Sequence, residues 1–382
     1  MHRILVVDDE NSVCEYVKFL LNGLGYEAGY ITKPQFLMPR LDYEDYDLIL
    51  LDFHMGETKG LDLLKVLKNH SVFHKIPVIM LTGENSDSIF ARCFEEGAVD
   101  YIHKPINKTI FKSRVKNALD LRDYIKLIAE KNEQMETELQ LAKKAQKSIC
   151  SAIPDLSYAN IDLIYRPYHE VSGDYYFFSV DSKQDLHIFL GDATGHGVSA
   201  AFITMMAHIG LADTNENCLP DDIIKKMNYL MSGRIEIGKF MTAIDLSVSQ
   251  NGILNFCNAA HPSLLVIPKN NEEIISFSER GLAIGIMAEE IIPYKLCSYQ
   301  LEPFDKVILY TDGLLDWEDK SNNHFGEERL FSFLKQNRKL PIKELNIQLV
   351  KRVEDFSCGK PNDDLTLLGL EFIPKNFTKH NF

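Results

Sequence analysis

Asp8 and Asp9 follow the apolar run Ile4-Leu5-Val6-Val7, and Asp52, Thr82 and Lys104 each follow a later apolar run. If those runs are neighbouring strands, the five side chains meet at one edge of a sheet. Three carboxylates brought together repel one another and need a cation, and an oxygen-only donor set suits Mg2+. With the cation in place, Asp52 can attack a phosphoryl group as a nucleophile. Lys104 would neutralise phosphoryl oxygens, and the Thr82 hydroxyl would donate to another. One acidic residue at a strand end is an ordinary loop residue; the joint placement of all five, with Lys104-Pro105 closing the last run, is not.

A second set lies downstream in Ser172-Gly173-Asp174-Tyr175-Tyr176, Gly191-Asp192-Ala193-Thr194-Gly195-His196-Gly197, Tyr310-Thr311-Asp312-Gly313 and Asn362-Asp363-Asp364-Leu365-Thr366. Each places an aspartate at a strand end or beside glycine, where the backbone can turn sharply and approach a ligand. Asp-Gly by itself marks turns everywhere. Four such carboxylates without histidine or thiolate partners point to hard divalent cations, Mn2+ or Mg2+. A pair of these cations activates water for in-line attack on phosphorus and offsets the repulsion between an acidic site and a phosphorylated substrate.

The elements that must position these groups fall into three stretches. Over residues 1–121, apolar runs at Ile4–Val7, Glu27–Ile31, Asp47–Leu51, Pro77–Leu81 and Val99–Ile102 alternate with helical patterns, the last at Ile106–Leu121. That alternation predicts an α/β, doubly wound five-stranded parallel sheet, whose ligands gather beyond the C-terminal strand ends. Over 122–150 the pattern becomes a heptad seam through Leu121, Ile125, Ile128, Asn132, Met135, Leu139, Ala142, Gln146 and Ile149. It predicts a helical coiled-coil linker, a parallel homodimer with Asn132 and Gln146 as polar seam positions, and Pro154 as the stop. From 151 to 374 strand-like runs lie at Ile161–Tyr165, Tyr175–Val180, Leu186–Leu190, Phe240–Val248, Ile253–Asn258, Leu264–Ile267, Tyr294–Leu301, Lys306–Tyr310 and Leu365–Phe372. They are interspersed with helices at Val198–Ala212, Asp221–Met231, Glu327–Gln336 and Ile342–Phe356. This reads as an α/β sandwich of mostly antiparallel sheets, with 375–382 a loose tail.

Composition narrows the function. A net charge of −14 leaves little basic surface for DNA, RNA or anionic membrane. The longest apolar stretch, around Ala200–Ala212, is broken by His208 and too short to span a bilayer. Met1-His2-Arg3 runs straight into the first strand, leaving no room for a signal peptide. Seven cysteines scattered singly, without Cys-x-x-Cys, fit a reducing cytoplasm and buried structural thiols.

The first set, with Ile4-Leu5-Val6-Val7-Asp8-Asp9-Glu10, Asp52, Thr82 and Lys104-Pro105, resembles the bacterial response-regulator receiver family. The resemblance implies phosphorylation of Asp52 by an upstream sensor histidine kinase, with Asp8 and Asp9 on the Mg2+ side and the His54 backbone carbonyl as a further metal ligand. Tyr101 matches the aromatic switch position, beside Thr82 and Lys104. Met55-Gly56 stands where the family often has Met-Pro.

The second set resembles the PPM-type metallophosphatases of the SpoIIE/RsbU-like branch. Supporting stretches are Glu138-Leu139-Gln140-Leu141-Ala142…Gln146, Met241-Thr242-Ala243, Asn258-Ala259-Ala260-His261-Pro262 and Phe325-Gly326-Glu327-Glu328-Arg329-Leu330. Ala260, Thr194 and Ala283 depart from the branch's usual glycine, serine and proline. The resemblance implies two Mn2+ or Mg2+ ions held by Asp174, Asp192, Asp312 and Asp363, with the Ala193 backbone carbonyl, Asp192 bridging and Asp364 outside the ligand set. His196 and His261 belong to loop motifs, and Arg166 is a candidate phosphate contact.

Together the two sets imply a response regulator that controls a metal-dependent protein serine/threonine phosphatase. The substrate implied is a phosphorylated anti-sigma-factor antagonist of the STAS class. The alternative is a non-catalytic adaptor that binds a sigma or anti-sigma pathway protein in a phosphorylation-dependent way; retention of all four aspartates weighs against it.

Overall fold

The computed structural model describes residues 1–84, 86–195, 197–214, 218–287 and 294–374. His196 and the tail expected at 375–382 lie outside the described residues. The chain divides into two compact units, Met1–Met135 and Glu136–Phe382.

The first unit is built on β1 (Arg3–Val7), β2 (Glu27–Ile31), β3 (Leu48–Asp52), β4 (Val78–Thr82) and β5 (Asp100–His103). The strands pair in parallel in the order β2-β1-β3-β4-β5. The near-continuous Ile/Leu/Val runs of the central β1, β3 and β4 reflect burial on both faces. Leu5, Val7, Ile49, Leu51 and Met80 pack to one side, with residues of α2 (Leu37–Tyr43) and α3 (Gly60–Asn69). Ile4, Val6, Leu48, Leu50 and Ile79 pack to the other, with α1 (Asn11–Gly23) and the start of α5 (Lys108–Ile149). A further helix, α4 (Asp87–Glu95), precedes β5.

Helix α5 runs unbroken for 42 residues, so no change of secondary structure separates the expected helix at Ile106–Leu121 from the expected linker. Along the heptad seam, Leu121, Ile125, Ile128 and Met135 are exposed. Farther on, Leu139 and Ala142 are half-buried and Gln146 is buried within the second unit. Gln146 therefore does not occupy an open seam position facing a second chain. A spacing of 3.5 residues marks an apolar stripe without saying what covers it.

The second unit contains β6 (Ala159–Arg166), β7 (Asp174–Val180), β8 (Leu186–Ala193), β9 (Met241–Val248), β10 (Ile253–Ala259), β11 (Leu264–Ile267), β12 (Ile275–Phe277), β13 (Cys297–Gln300), β14 (Lys306–Tyr310) and β15 (Leu365–Phe372). They form two antiparallel sheets, β13-β10-β9-β8-β7 and β12-β11-β14-β15-β6. Alternation sorts the side chains, since neighbours along a strand face opposite ways. Ile188, Leu190, Leu246 and Phe256 of one sheet meet Val266, Leu309, Leu368 and Leu370 of the other. On the outer faces, Phe189 and Ala243 pack against α6 (Val198–Ala212) and α7 (Pro220–Met231). Ile308 and Leu367 pack against α9 (Gly326–Asn337) and α10 (Ile342–Phe356), with the short α8 (Gly313–Asp316) ahead of them. Helices thus flank a two-sheet sandwich, as the sequence predicts. No helix among the described residues is long and apolar enough to cross a membrane.

Candidate functional site

In the first unit the parallel strands bring Asp8, Asp9 and Asp52 together, with carboxylate oxygens all within 4.8 Å of one another. Lys104 Nζ donates to Asp8 Oδ2 at 2.7 Å and to Asp52 Oδ1 at 2.5 Å. The His54 backbone N–H donates to Asp52 Oδ2 at 3.1 Å. Burial raises the Asp52 pKa and Asp8 adds to the rise, while Lys104 works the other way. Burial also opposes the Lys104 charge, but its hydrogen bonds to Asp52 and Asp8 outweigh this and raise its pKa. Three carboxylates against one ammonium leave a net negative pocket, a donor set that fits Mg2+. Thr82 ends β4 and accepts from the Glu84 N–H at 3.0 Å. Tyr101 is half-buried, stacked on Phe90 with centroids 3.8 Å apart and covered by the Arg114 guanidinium at 4.9 Å. All the residues singled out in this unit lie at or beside the C-terminal strand edge.

In the second unit, sheet register makes the site. Asp174 opens β7 and pairs across from Asp192 near the end of β8, which in turn lies opposite Thr242. Asp312 follows β14 and Asp363 precedes β15, the neighbouring pair in the other sheet. Asp174 Oδ2 accepts from Thr311 Oγ1 at 2.8 Å and Thr366 Oγ1 at 2.5 Å, which ties a residue of one sheet to two of the other. Glycine is required where these segments meet. A Cβ on Gly313 would lie 1.7 Å from the Asp364 carbonyl oxygen, and one on Gly173 2.6 Å from that of Ala193.

Burial drives the electrostatics of this cluster. Burial, then Asp174 and Asp312, push the Asp192 pKa up to about 9. Asp174 is raised well above the carboxylate range by burial, which outweighs its two hydroxyl donors. Burial raises Asp312 too, and moves Asp363 up to about 6. None of the four is ion-paired to a Lys, Arg or His among the described residues. Asp174 is buried, Asp192 and Asp312 are half-buried and Asp363 is exposed. Carboxylates clustered this way without an ion pair call for a cation, and an all-oxygen set fits Mn2+ or Mg2+. No three of these carboxylates converge as tightly as Asp8, Asp9 and Asp52.

Asp364 is differently engaged: it accepts from the Tyr168 N–H at 2.6 Å and the Gly173 N–H at 2.7 Å. Its oxygens hold the loop before Asp174, in keeping with its exclusion from the ligand set. His261 is fully buried, with Nδ1 2.9 Å from Thr242 Oγ1. Burial, then Arg280, bring its pKa down to about 3, so the imidazole stays neutral and braces the strand opposite Asp192. Arg166 ends β6 in an exposed position, in register with Leu365.

Two residues escaped the sequence reading. Lys239 carries its ammonium beside the Gly195 loop, where a Cβ would meet Nζ at 2.6 Å; a single lysine in a polar loop gives no signal. Gln146, read as a seam residue, donates through Nε2 to the Ser172 carbonyl at 2.7 Å and to Thr204 Oγ1 at 3.2 Å. Its Oε1 accepts from the Ser172 N–H at 3.1 Å. On the surface, Gln140 and Lys143 hold Glu170 at 2.9 and 2.8 Å. The end of α5 thereby grips the segment that leads into Asp174.

With this geometry in hand, the chain can be set beside known proteins. A family model described as "Stage II sporulation protein E (SpoIIE)" matches residues 182–373, and one described as "Response regulator receiver domain" matches residues 4–116. The phosphoserine phosphatase RsbU of Bacillus subtilis is 23% identical over 246 residues, covering 62% of this chain and 71% of that protein. Protein IcfG of Synechocystis is 25% identical over 267 residues, and the match spans 61% of this chain but 41% of the length of IcfG. Among solved structures, the SiaA-PP2C domain of Pseudomonas aeruginosa aligns with a TM-score of 0.55 at 22% identity, covering 64% of this chain and 99% of that one. That likeness concerns the fold.

Replacing Gln146 by alanine leaves the buried Ser172 amide and carbonyl without these partners. We expect a stability loss of about 1–3 kcal/mol and Mn2+ binding weaker by about tenfold or more. Calorimetric Mn2+ titration checks this, and unchanged affinity would mean that Ser172 and Asp174 keep their places without the helix.

Proposed function

The chain belongs to the stage II sporulation protein E (SpoIIE) family, and we propose that it is a response regulator in which phosphorylation of Asp52 sets the rate of a metal-dependent protein serine/threonine phosphatase. The observation that carries this reading is the register of β7 and β8, which sets Asp174 against Asp192 while Asp312 and Asp363 arrive from the facing sheet.

Asp174, Asp192, Asp312, Asp363 and the Ala193 carbonyl would hold two Mn2+ or Mg2+ ions, which when bound activate water and offset phosphate charge. Thr311 and Thr366 fix the rotamer of Asp174. Asp364 holds the loop before it at Tyr168 and Gly173, and Gln146 holds it at Ser172. Lys239, whose ammonium lies beside the Gly195 loop, would be available to an incoming phosphoryl group. In the receiver, Asp8, Asp9, Asp52 and the His54 carbonyl would hold Mg2+. Asp52 would take the phosphoryl group from the phosphohistidine of a sensor kinase, with Lys104 and Thr82 on its oxygens. The named activity of the relative RsbU supports phosphoserine as a substrate. The resemblance supports a phosphorylated STAS-type anti-sigma-factor antagonist as the carrier.

Communication between the two activities is assigned to α5. The exposed stripe Leu121, Ile125, Ile128 and Met135 suits a parallel homodimer, with Asn132 facing its counterpart. The downstream grip on Ser172 gives a change in helix pairing a route to Asp174. A switch of this kind needs only a few kcal/mol of differential stability.

Phosphate release from a phosphoserine-bearing cognate antagonist should require Mn2+ or Mg2+ and fall at least about a hundredfold in Asp192→Asn. Acetyl phosphate should change the rate of the native chain but not of Asp52→Ala. Equal hydrolysis in EDTA would contradict the metal assignment, and an equal response in Asp52→Ala would contradict the receiver assignment. For the linker, Met135→Pro costs the helix about 3 kcal/mol and should remove the response to acetyl phosphate while preserving Mn2+-dependent hydrolysis. Regulation intact in this variant, with a monomer by light scattering in both phosphorylation states, would exclude a helical dimer as the route.

A further inference from the structure

At the end of β7 and β8 away from Asp174 and Asp192, a cavity of about 210 Å3 opens between the sheet and helices α6 and α7. Phe177, Phe189, Leu211 and Ile223 supply apolar walls. Asp245, in the middle of β9 and opposite Phe189 and Cys257, also lines it. This carboxylate is 1% exposed, and its Oδ2 has no hydrogen-bond partner among the described residues. A buried acid without a partner is among the most costly groups a core can hold, and it calls for a partner beyond the described residues.

The surroundings define that partner. Burial raises the Asp245 pKa, and no neighbouring charge counters it. His187 lines the cavity 3.8 Å from Asp181, but burial lowers its pKa and withholds its charge. Asp181, a second acid in the lining, accepts from the Lys183 and Asp185 amides through Oδ1 and faces His187 with Oδ2. No lysine or arginine is found among the described lining residues. The cavity therefore offers an acid at an apolar wall and no cation to meet it, in a space of about seven water volumes at ~30 Å3 each. A primary ammonium supplies three donors and one positive charge, and a short hydrocarbon body suits the aromatic walls.

We propose that this cavity is a binding site for a small organic cation, a primary amine whose ammonium pairs with Asp245 and whose apolar body lies between Phe177, Phe189, Leu211 and Ile223. Since Leu211 and Ile223 belong to α6 and α7, the bound amine would brace both helices against the sheet.

The test is calorimetric titration of the full chain with cyclohexylamine, with its uncharged analogue cyclohexanol, and with potassium chloride. Native protein should bind cyclohexylamine saturably and at least about tenfold more tightly than cyclohexanol, and potassium should not compete. Asp245→Asn, which keeps the shape and removes the charge, should weaken amine binding at least about thirtyfold, since a buried charge pair loses one partner. Asp245→Leu should abolish binding and melt above the native chain, because it removes the unpartnered acid. Equal affinity for amine and alcohol, no binding of either, or undiminished amine binding by Asp245→Asn would each overturn the proposal and leave a protonated carboxyl in a wet cavity. Competition by potassium would overturn it in favour of an inorganic cation.

Discussion

Like charges drawn together, from buried Asp174 through half-buried Asp192 and Asp312 to exposed Asp363, are the constraint around which the second unit is organised. Asp174, Asp192, Asp312 and Asp363 are pushed toward protonation by burial and by one another, and Asp192 reaches about 9. Left alone, such a cluster would favour any rearrangement that separates its members. Two features resist this. The antiparallel register fixes Asp174 opposite Asp192, and the Thr311 and Thr366 hydroxyls bind Asp174 from the facing sheet. Two divalent cations bound there would convert the same strain into affinity, because four carboxylates and two such ions would balance in charge. The receiver meets a smaller version of the problem with Lys104, which already spans Asp8 and Asp52.

That constraint also explains why the end of α5 matters. A metal site assembled from loop and strand-end carboxylates is only as well placed as the segments behind them. The segment before Asp174 is held by Asp364 at its Tyr168 and Gly173 amides and by Gln146 at Ser172. A helix that begins in the receiver fold thus ends with Gln146 bonded to Ser172, two residues before the proposed metal ligand Asp174. Regulation through this contact would act on geometry and so on metal affinity, without any new group entering the site.

Much of this was legible in the sequence, for physical reasons. Strands buried on both faces read as apolar runs, so β11, β14 and β15 fall where the pattern puts them. Helices α6 and α10 do so as well. The carboxylates were legible because Asp beside Gly at a strand end is chemically conspicuous when it recurs in order. β12 was missed because Ile275-Ser276-Phe277 is too short to alternate, and β13 is shorter than the run Tyr294–Leu301 because pairing with β10 begins at Cys297. Gln146 was misread because an apolar stripe looks the same whether a partner helix or the chain's own core covers it. Asp245 was hidden by its setting, since one acid inside Ile244-Asp245-Leu246 reads as the polar face of a strand, whereas helices cover that face.

The chain's single tryptophan, Trp317, donates Nε1 to the Asp363 carbonyl at 3.2 Å and reports on the second unit alone. Thermal unfolding followed by its fluorescence, in EDTA and in Mn2+, for the native chain and for Asp192→Asn, tests the carboxylate–cation balance most directly. If mutual repulsion governs the site, Asp192→Asn melts above the native chain in EDTA. Mn2+ then raises the native midpoint strongly and the variant's little. A native midpoint indifferent to Mn2+, or a variant that responds to Mn2+ as strongly as the native chain, would contradict the account.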